Sequence, residues 1–217
     1  RGRPWVRVKL GMSLDGRTAL ADGSSKWITS EASRADVMRW RARSGAILTG
    51  IGTVLADDPR LTVRLDSDEA FIPPLRVVLD ERGRLPASAG LLTDGAAPTL
   101  AVHGEDMVPD YGDEVDAFAV RRVEGGLDLG AVLAQLGQRG VNELQVEAGA
   151  TLSGALVSAG LVDELLVYVA PVLLGERGRP LLAGIDPATM AGRIGLELLE
   201  SRQIGPDLRL TLRRRTS

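Results

Sequence analysis

The chain has 217 residues, of which 44% are hydrophobic and 25% charged, a composition typical of a globular protein with a sizeable core. Its net charge of −3 gives no basic excess of the kind that nucleic-acid binding favours. The absence of cysteine excludes disulfides and cysteine-ligated metals, and the single histidine, His103, argues against a histidine metal site or a Ser-His-Asp triad. No apolar stretch approaches the ~18 residues of a membrane span. We therefore expect a cytoplasmic protein that binds neither nucleic acid nor membrane.

The first predicted strand covers Trp5–Leu10, where apolar and basic residues alternate. The following segment, Gly11–Ala19, contains the tight-turn pair Asp15-Gly16 and predicts a loop. Lys9 lies near the end of this strand, where a lysine must either find an anionic partner or reach solvent. From the residues alone, a functional ammonium group and an exposed lysine on the solvent face both stay open.

A polar segment closed by Trp27 follows, and it predicts either an active-site flap anchored by Trp27 or a surface loop whose Trp27 fills a core gap. Thr29-Ser30-Glu31 then supplies N-cap chemistry for a helix that runs to about Arg43 and is stopped by Gly45. Arg41 lies on this helix. Because exposed arginines on helices are usually solvated, a phosphate-binding role for Arg41 is the less favoured interpretation of this pattern.

The segment 45–59 is the most site-like stretch of the chain. An apolar run, Ala46-Ile47-Leu48, predicts a buried strand, and Thr49–Thr53 predicts a loop in which two glycines let the backbone approach a ligand. The carboxylate pair Asp57-Asp58 and Pro59 then turn the chain. Open α/β sheets bind ligands at the C-terminal ends of their strands, so we expect this loop to lie on a nucleotide cofactor.

The rest of the chain predicts strands at 75–79, 99–102, around 115–120 and 161–171, a helix at 127–137, and a terminal hairpin from 196–204 and 208–213. A second glycine turn lies within 142–156, where a strand delivers Glu147, Gly149 breaks it, and a helix of small residues begins. The N-terminus of such a helix suits a pyrophosphate. An ordinary turn between a strand and a helix gives the same pattern.

Two familiar nucleotide signatures are broken. Leu55 stands where the dinucleotide fingerprint that starts at Gly50 needs its third glycine. The stretch 149–154 has the Walker spacing, but Ala155-Leu156 stands in place of the required lysine and hydroxyl residue. What remains is two strand-to-glycine turns, which we expect side by side at one sheet edge, with an extended dinucleotide between them.

Several multi-residue motifs together resemble one known family. They cover essentially the whole chain in order: Lys9–Thr18, Trp27–Ser30, Gly45–Pro59, Val146–Leu156 and Gly160–Gly175. They resemble the reductase domain of bacterial riboflavin biosynthesis, the C-terminal domain of the bifunctional pyrimidine deaminase/reductase. The resemblance implies an α/β, dihydrofolate-reductase-like fold, with a mostly parallel twisted sheet flanked by helices, an antiparallel C-terminal hairpin, and a single reductase domain over residues 1–217.

The resemblance also implies the reaction, which is the NADPH-dependent reduction of 5-amino-6-(5-phospho-ribosylamino)uracil to the ribitylamino compound. Hydride would go to C1′ of the ring-opened sugar. The deaminase half would carry a His/Cys zinc signature, and a chain without cysteine lacks it. Either the full protein continues N-terminally of Arg1 into a zinc deaminase domain, or this is a stand-alone reductase. The resemblance further suggests a homodimer.

Residue by residue, the resemblance places the cofactor near Gly11, Trp27, Thr53, Asp57, Gly149, Ala150, Thr151 and Leu152. The nicotinamide is expected to pack against the loop after Leu10 and against Thr49, Gly50 and Gly52. The substrate is placed near Ser25, Arg41, Leu61, Arg64 and Glu147.

These assignments make chemical sense. Arg41 and Arg64 are cations that a 5′-phosphate needs, so the resemblance makes the phosphate role of Arg41 the favoured one. Glu147 is an acceptor for pyrimidine N–H groups or ribose hydroxyls. Lys9, Asp57 and Glu147 are the titratable candidates for proton transfer, and the residues do not rank them. No metal is expected.

One departure from the family follows Asp80. Many relatives carry a small hydroxyl there, close to the adenosine end of the cofactor, whereas this chain has Glu81. A carboxylate that faces a 2′-phosphate is repulsive unless it turns away, so this position leaves the choice of NADPH over NADH open. Two other functions also stay open. One is a related reductase acting on a pterin or other small substrate, against which the arginine pair argues, and the other is a non-catalytic nucleotide-binding module.

Overall fold

A computed structural model describes residues 2–66, 70–112 and 115–215. Within these ranges the strands are β1 (Trp5–Ser13), β2 (Arg17–Ala19), β3 (Ala46–Gly50), β4 (Leu75–Leu79), β5 (Thr99–Gly104), β6 (Asp116–Val120), β7 (Arg122–Val123), β8 (Gly126–Leu127), β9 (Glu143–Val146), β10 (Glu164–Ala170), β11 (Arg179–Pro180), β12 (Leu196–Ile204) and β13 (Asp207–Arg214). The helices are α1 (Glu31–Arg43), α2 (Ile51–Asp57), α3 (Gly90–Thr93), α4 (Leu129–Gln138) and α5 (Ala150–Ser158), and Met190–Gly192 forms a 3₁₀ turn.

The chain divides into two compact units, which we name by their place in the sequence. The central unit comprises Arg1–Trp5 and Met38–Glu147, and the terminal unit comprises Val6–Val37 and Ala148–Ser217. These are units of packing, and the prediction of one reductase domain over residues 1–217 stays a prediction.

The central unit is built on a parallel sheet in the order β9-β3-β4-β5-β6. Strands β3, β4 and β5 are short and largely buried, as strands covered on both faces are, whereas β6 is mostly exposed or half-buried. Helices α2, α3 and α4 connect these strands, and Ile51 and Val54 of α2 pack in one core cluster with Val78 of β4 and Leu91 of α3. The one charged residue inside β4, Arg76, is 1% exposed and is held by Asp94 at 2.7 Å.

The terminal unit combines parallel and antiparallel pairing. Strand β1 runs parallel to β10, β10 pairs antiparallel with β13, and β13 forms the predicted hairpin with β12. Tyr168 is fully buried in β10 and donates its hydroxyl hydrogen to Asp36 Oδ2 at 2.7 Å, and Arg209 Nη1 donates to the same oxygen at 2.9 Å. The predicted fold class, a mostly parallel sheet flanked by helices with an antiparallel C-terminal pair, is confirmed.

The structure corrects two local predictions. Thr49–Thr53 is not a loop, because Thr49 and Gly50 end β3 and a helix, α2, begins directly at Ile51. The predicted loop Gly11–Ala19 is also wrong in part, since β1 continues to Ser13 and β2 begins at Arg17. In both cases glycines suggested an interruption, whereas α2 is held by hydrogen bonds within the helix and β1 stays paired with β10 as far as Ser13.

Candidate active site

The strand order of the central unit reverses beside β3. From β3 the chain moves in one direction through β4, β5 and β6, and α4 then returns it to β9 on the other side of β3. Open parallel sheets bind ligands outside the carboxyl ends of their strands at such a reversal. Thr49 and Gly50 end β3 here and Glu147 follows β9, with the Glu147 amide donating to the Leu48 carbonyl at 2.9 Å.

The side chain of Glu147 forms a two-pronged ion pair with Arg41 from the last turn of α1. Arg41 Nε donates to Glu147 Oε1 at 2.7 Å, and Arg41 Nη2 donates to Oε2 at 2.8 Å. The side chains are only 11% and 13% exposed, so the pair is largely shielded from water. The fork of the guanidinium matches the two carboxylate oxygens, which fixes the plane of the carboxylate.

Two further polar groups, the Gln145 side chain and the Thr62 carbonyl, bind this ion pair. We call Arg41, Glu147 and these two groups the buried pair with its supports. Gln145 lies inside β9, is 0% exposed, and donates from Nε2 to Glu147 Oε1 at 2.7 Å. Arg41 Nη1 donates to the Thr62 carbonyl at 2.7 Å, which ties the segment after α2 to the same guanidinium. Neither Gln145 nor the Thr62 carbonyl was predicted as part of the site. A lone glutamine between Leu144 and Val146 in a buried parallel strand is a usable signal for Gln145.

The charge of Arg41 is maintained by its partner. Burial lowers the pKa of the guanidinium, but the charge of Glu147 and the hydrogen bonds to it raise that pKa by more, so the net shift is upward. Arg41 therefore stays cationic at every pH at which the protein is folded.

The predicted cofactor residues of 49–57 lie along the end of β3 and along α2. Thr49 is fully buried, and within the described residues its hydroxyl oxygen has no hydrogen-bond partner. Gly52 is exposed and Thr53 half-buried in the first turn of α2, whereas Asp57 is exposed at its last residue. Gly50 caps α2 without any side-chain hydrogen bond.

The predicted substrate residues Leu61 and Arg64 follow α2 in a segment that is neither helix nor strand. Leu61 is 3% exposed and has a φ of 51°, a left-handed backbone conformation that a leucine adopts only when its surroundings impose it. Arg64 is exposed, and no hydrogen bond or ion pair of its side chain occurs with any other residue that the structure describes. The two predicted phosphate-binding arginines therefore differ. Arg41 is buried and hydrogen-bonded to Glu147 and the Thr62 carbonyl, whereas Arg64 is exposed.

In the terminal unit, Lys9 and Gly11 lie on β1, two residues apart and on one face of the strand. Lys9 is half-buried, with Nζ 6.0 Å from the centre of the Tyr168 ring. A side chain at Gly11 would meet Thr29 Cγ2 at 3.3 Å, so this glycine allows a close approach. Lys9 is thus not a fully exposed lysine on the solvent face, because packing covers part of its side chain.

Trp27 is 69% exposed, and Arg34 lies over its ring with Cζ 4.5 Å from the ring centre. This excludes the interpretation in which Trp27 fills a core gap. Ser25, the other predicted residue of this segment, is half-buried. An exposed tryptophan stacked on an arginine is compatible with the predicted flap.

The second glycine turn of the prediction opens α5. Gly149 is the N-cap and makes no side-chain cap, so the amides of Ala150, Thr151 and Leu152 form the start of the helix. The Ala150 carbonyl accepts from the Ala183 amide at 3.0 Å. A side chain at Gly154 would overlap the Ala183 carbonyl oxygen, so α5 packs against that backbone at the closest possible distance.

Metal-binding clusters and membrane-spanning helices are the two remaining features to describe. No group of three or more His, Cys, Asp or Glu side chains in 2–66, 70–112 or 115–215 is arranged to hold a metal ion. No helix in that part of the chain has the length and apolar character needed to cross a membrane.

Comparison with known proteins identifies the family. Residues 4–210 match the family model of the RibD C-terminal domain. The chain belongs to the RibD C-terminal domain family. It is 43% identical over 223 residues to riboflavin biosynthesis protein RibD of Escherichia coli K12, an alignment that covers 97% of this chain and 60% of that protein. The chain thus spans well under the full length of this relative.

Solved structures of RibD proteins agree with the assignment. Acinetobacter baumannii RibD superimposes with a TM-score of 0.87 at 38% identity, covering 99% of this chain and 58% of that one. The riboflavin biosynthesis reductase Rib7 of Saccharomyces cerevisiae shares the fold, with a TM-score of 0.77 at 18% identity over 99% of this chain and 91% of that one. The family resemblance expected from the motifs is confirmed.

Proposed function

We propose that this RibD C-terminal domain reduces 5-amino-6-(5-phospho-ribosylamino)uracil to 5-amino-6-(5-phospho-ribitylamino)uracil with NADPH. The observation that carries the proposal is Glu147, an acceptor held in a fixed plane by Arg41 at the carboxyl end of β9, where the strand order reverses. Related proteins are named as reductases of this pathway, among them the yeast Rib7 and a Thermotoga maritima deaminase/reductase.

The residues fit a nicotinamide dinucleotide. In the central unit, the buried Thr49 hydroxyl has no partner among the described residues, and a side chain at Gly52 would meet nothing within 4 Å, which leaves room for a bound group. In the terminal unit, the uncapped start of α5 offers free amides to a pyrophosphate, and the space beside Gly149 is likewise open. Gly11, Trp27, Thr53 and Asp57 complete the proposed set. The cofactor supplies the hydride.

Glu147 binds and orients the substrate in this proposal. Its carboxylate is the proposed acceptor for pyrimidine N–H groups or ribose hydroxyls, since an ionised carboxylate donates nothing and accepts through both oxygens. Arg41 holds that carboxylate in place. Since most of the Arg41 fork is engaged, Arg64 is the better cation for the 5′-phosphate, with Leu61 as a further substrate residue of the central unit. Ser25, in the terminal unit, stays a predicted substrate residue.

Proton transfer is assigned to three candidates. Lys9 and Glu147 are half-buried, whereas Asp57 is exposed at the end of α2. Burial and fixed geometry favour Lys9 and Glu147 over Asp57 as groups that donate or accept a proton at a defined atom. The homodimer and the cytoplasmic location stay predictions, as does an N-terminal zinc deaminase domain in the full-length protein.

The test is NADPH oxidation that depends on 5-amino-6-(5-phospho-ribosylamino)uracil. Wild type should oxidise NADPH only when this substrate is added, and Glu147→Gln should lower kcat/KM about 100-fold, since it removes a charge-assisted contact and leaves Arg41 without its ion. Glu143→Gln, at the start of β9 and paired with the exposed Arg43 at 3.7 Å, is the matched control and should keep wild-type activity. The proposal would be overturned if NADPH oxidation depended on a pterin substrate instead. It would also be overturned if the protein bound the cofactor but did not turn over the ribosylaminouracil substrate.

A further inference from the structure

The irregular segment 58–64 carries two of the proposed substrate residues, Leu61 and Arg64, and follows α2 directly. Although this segment has irregular backbone, Leu61 within it is 3% exposed and has a φ of 51°. A leucine holds this left-handed conformation only where the surrounding contacts impose it. Those contacts are therefore part of how the proposed substrate site is built.

Two buried arginines hold the backbone on either side of Leu61. Arg76 Nη1, from β4, donates to the Arg60 carbonyl at 3.2 Å. Arg41 Nη1, from α1, donates to the Thr62 carbonyl at 2.7 Å. Because the two donors come from different elements, the backbone at Leu61 is confined between two fixed carbonyl groups, which accounts for its left-handed conformation.

The Arg76 guanidinium is itself held in place by other groups. Its Nη1 also donates to Asp94 Oδ1 at 2.7 Å, and its Nη2 donates to the Ala97 carbonyl. The side chains of Arg76 and Asp94 are only 2% and 4% exposed. Since a shielded ion pair of this kind cannot exchange its partners for water, Arg76 holds the Arg60 carbonyl from a fixed position inside the core.

A third contact fixes the start of the segment. Asp58 is the C-cap of α2 with a φ of 42°, and its Oδ1 accepts from the Gly90 amide at 2.7 Å. A side chain at Gly90 would lie 3.1 Å from Asp58 Oδ2, so the glycine lets the carboxylate come close to the backbone of α3. Asp58 is exposed, and it can therefore be replaced without opening the core.

We propose that Asp58 and Arg76 are positioning residues of the substrate site, which hold segment 58–64 so that Arg64 meets the 5′-phosphate. Asp58 fixes the start of the segment, and Arg76 fixes the carbonyl that precedes Leu61. Arg64 is exposed and follows Leu61 closely, so its place depends on the course of the backbone before it. The inference rests on the proposed function, because it requires a phosphorylated substrate at Arg64.

The experiment measures KM and kcat for 5-amino-6-(5-phospho-ribosylamino)uracil, with the affinity for ribose 5-phosphate determined in parallel by calorimetry. Asp58→Gly removes the carboxylate and suits the left-handed backbone at this position. It should raise KM about tenfold and leave kcat and the NADPH dissociation constant unchanged, because a hydrogen bond that orders the segment is lost. Asp58→Asn keeps an acceptor at Oδ1, so its KM should stay within about twofold of wild type.

Arg76 is tested without leaving a buried charge unpaired. In Arg76→Met/Asp94→Asn an apolar chain replaces the guanidinium, and the new amide oxygen still accepts from the Ala96 amide. This variant should also raise KM about tenfold at unchanged kcat. In Asp58→Gly/Arg64→Ala, KM should be no higher than in Arg64→Ala, since both changes act on the same contact with the phosphate. A role in stability alone does not give this result.

The matched control is Asp110→Gly. Asp110 is exposed, as Asp58 is, and its Oδ1 also accepts from a glycine amide, that of Gly112 at 3.1 Å, but it lies between β5 and β6. This variant should keep the wild-type KM.

The proposal would be overturned if Asp58→Gly and Arg76→Met/Asp94→Asn both kept the wild-type KM and affinity for ribose 5-phosphate. An effect of Asp58→Gly that persists undiminished beside Arg64→Ala would also overturn it. A wild type that neither turns over the substrate nor binds ribose 5-phosphate would overturn it together with the proposed function. Weaker binding of ribose 5-phosphate by Asp58→Gly, in a protein that does not reduce this substrate, would support it and count against the proposed substrate alone.

Discussion

Two arrangements of arginine and carboxylate lie at the carboxyl ends of strands of the central unit, yet their surroundings differ. One is the buried pair with its supports. The other, which we call the surface cluster, consists of Glu81, Asp106 and Arg122, with Arg122 donating to both carboxylates. Arg41 and Glu147 are 11% and 13% exposed, whereas Arg122 and Glu81 are 36% and 30% exposed. In a shielded site, removing one partner leaves a charge that neither water nor protein compensates. In an exposed site, water replaces the lost partner. Burial therefore makes the loss of one partner costly in the first arrangement and cheap in the second.

The largest expected effect comes from breaking the buried pair. Arg41→Ala should lower the free energy of unfolding by about 3–5 kcal/mol, because Glu147 is left charged and shielded and the Thr62 carbonyl loses its donor. Urea denaturation measures this. Arg43→Ala, two residues along the same helix and exposed, is the control and should change stability by less than about 1 kcal/mol. A cost for Arg41→Ala as small as that of the control would mean that burial does not distinguish the two arrangements.

A smaller effect is expected for the support of Glu147 on β9. Gln145→Met keeps the volume of the side chain but removes the donor to Glu147 Oε1, and it should cost about 1 kcal/mol in urea denaturation. The loss is moderate because Gln145 Oε1 is buried without a partner in the described structure, so the apolar side chain also removes an unfavourable group. The exposed Gln135→Met is the control. Full wild-type stability in Gln145→Met would show that Arg41 alone holds the carboxylate.

The smallest effect on stability is expected in the surface cluster. Arg122→Ala should leave the free energy of unfolding at the wild-type value, since water replaces the lost guanidinium beside two solvent-accessible carboxylates. Thermal unfolding without ligand measures it. A large loss would mean that the surface cluster holds β7 against β5.

Much of the fold could be predicted because its signals are local. The apolar runs of β3 and β4, the cap of α1 predicted within Thr29-Ser30-Glu31, and the apolar face of α4 each depend on neighbouring residues, and all appear close to their predicted positions. The cap is Ser30, whose Oγ accepts from the Ser33 amide at 3.3 Å. Helix α2 was missed because it has only seven residues, two glycines flank its start, and its stability comes from burying Ile51 and Val54. Short helices of this kind depend on packing that their own sequence does not reveal.

The candidate site was predictable in its residue types but not in its pairings. Glu147 and Arg41 were both selected, but 106 positions separate them, and only the position of α1 beside the end of β9 brings them together. Because Arg41 is paired with Glu147, we expect it to orient that carboxylate rather than to bind the phosphate alone. Glu81 was noticed as a departure from the family, but Arg122, which neutralises it, lies 41 residues away in a polar segment without a distinguishing pattern.

The packing of α5 has a consequence for how this domain tolerates change. Gly154 and Ala183 meet through main-chain atoms, and the Ala183 amide is also bonded to the Ala150 carbonyl. Contacts of this kind do not depend on which side chain position 183 carries, but they exclude every side chain at position 154. A library that samples all residues at each site should therefore recover varied residues at 183 and glycine alone at 154, so that two positions in one contact differ completely in their freedom to evolve.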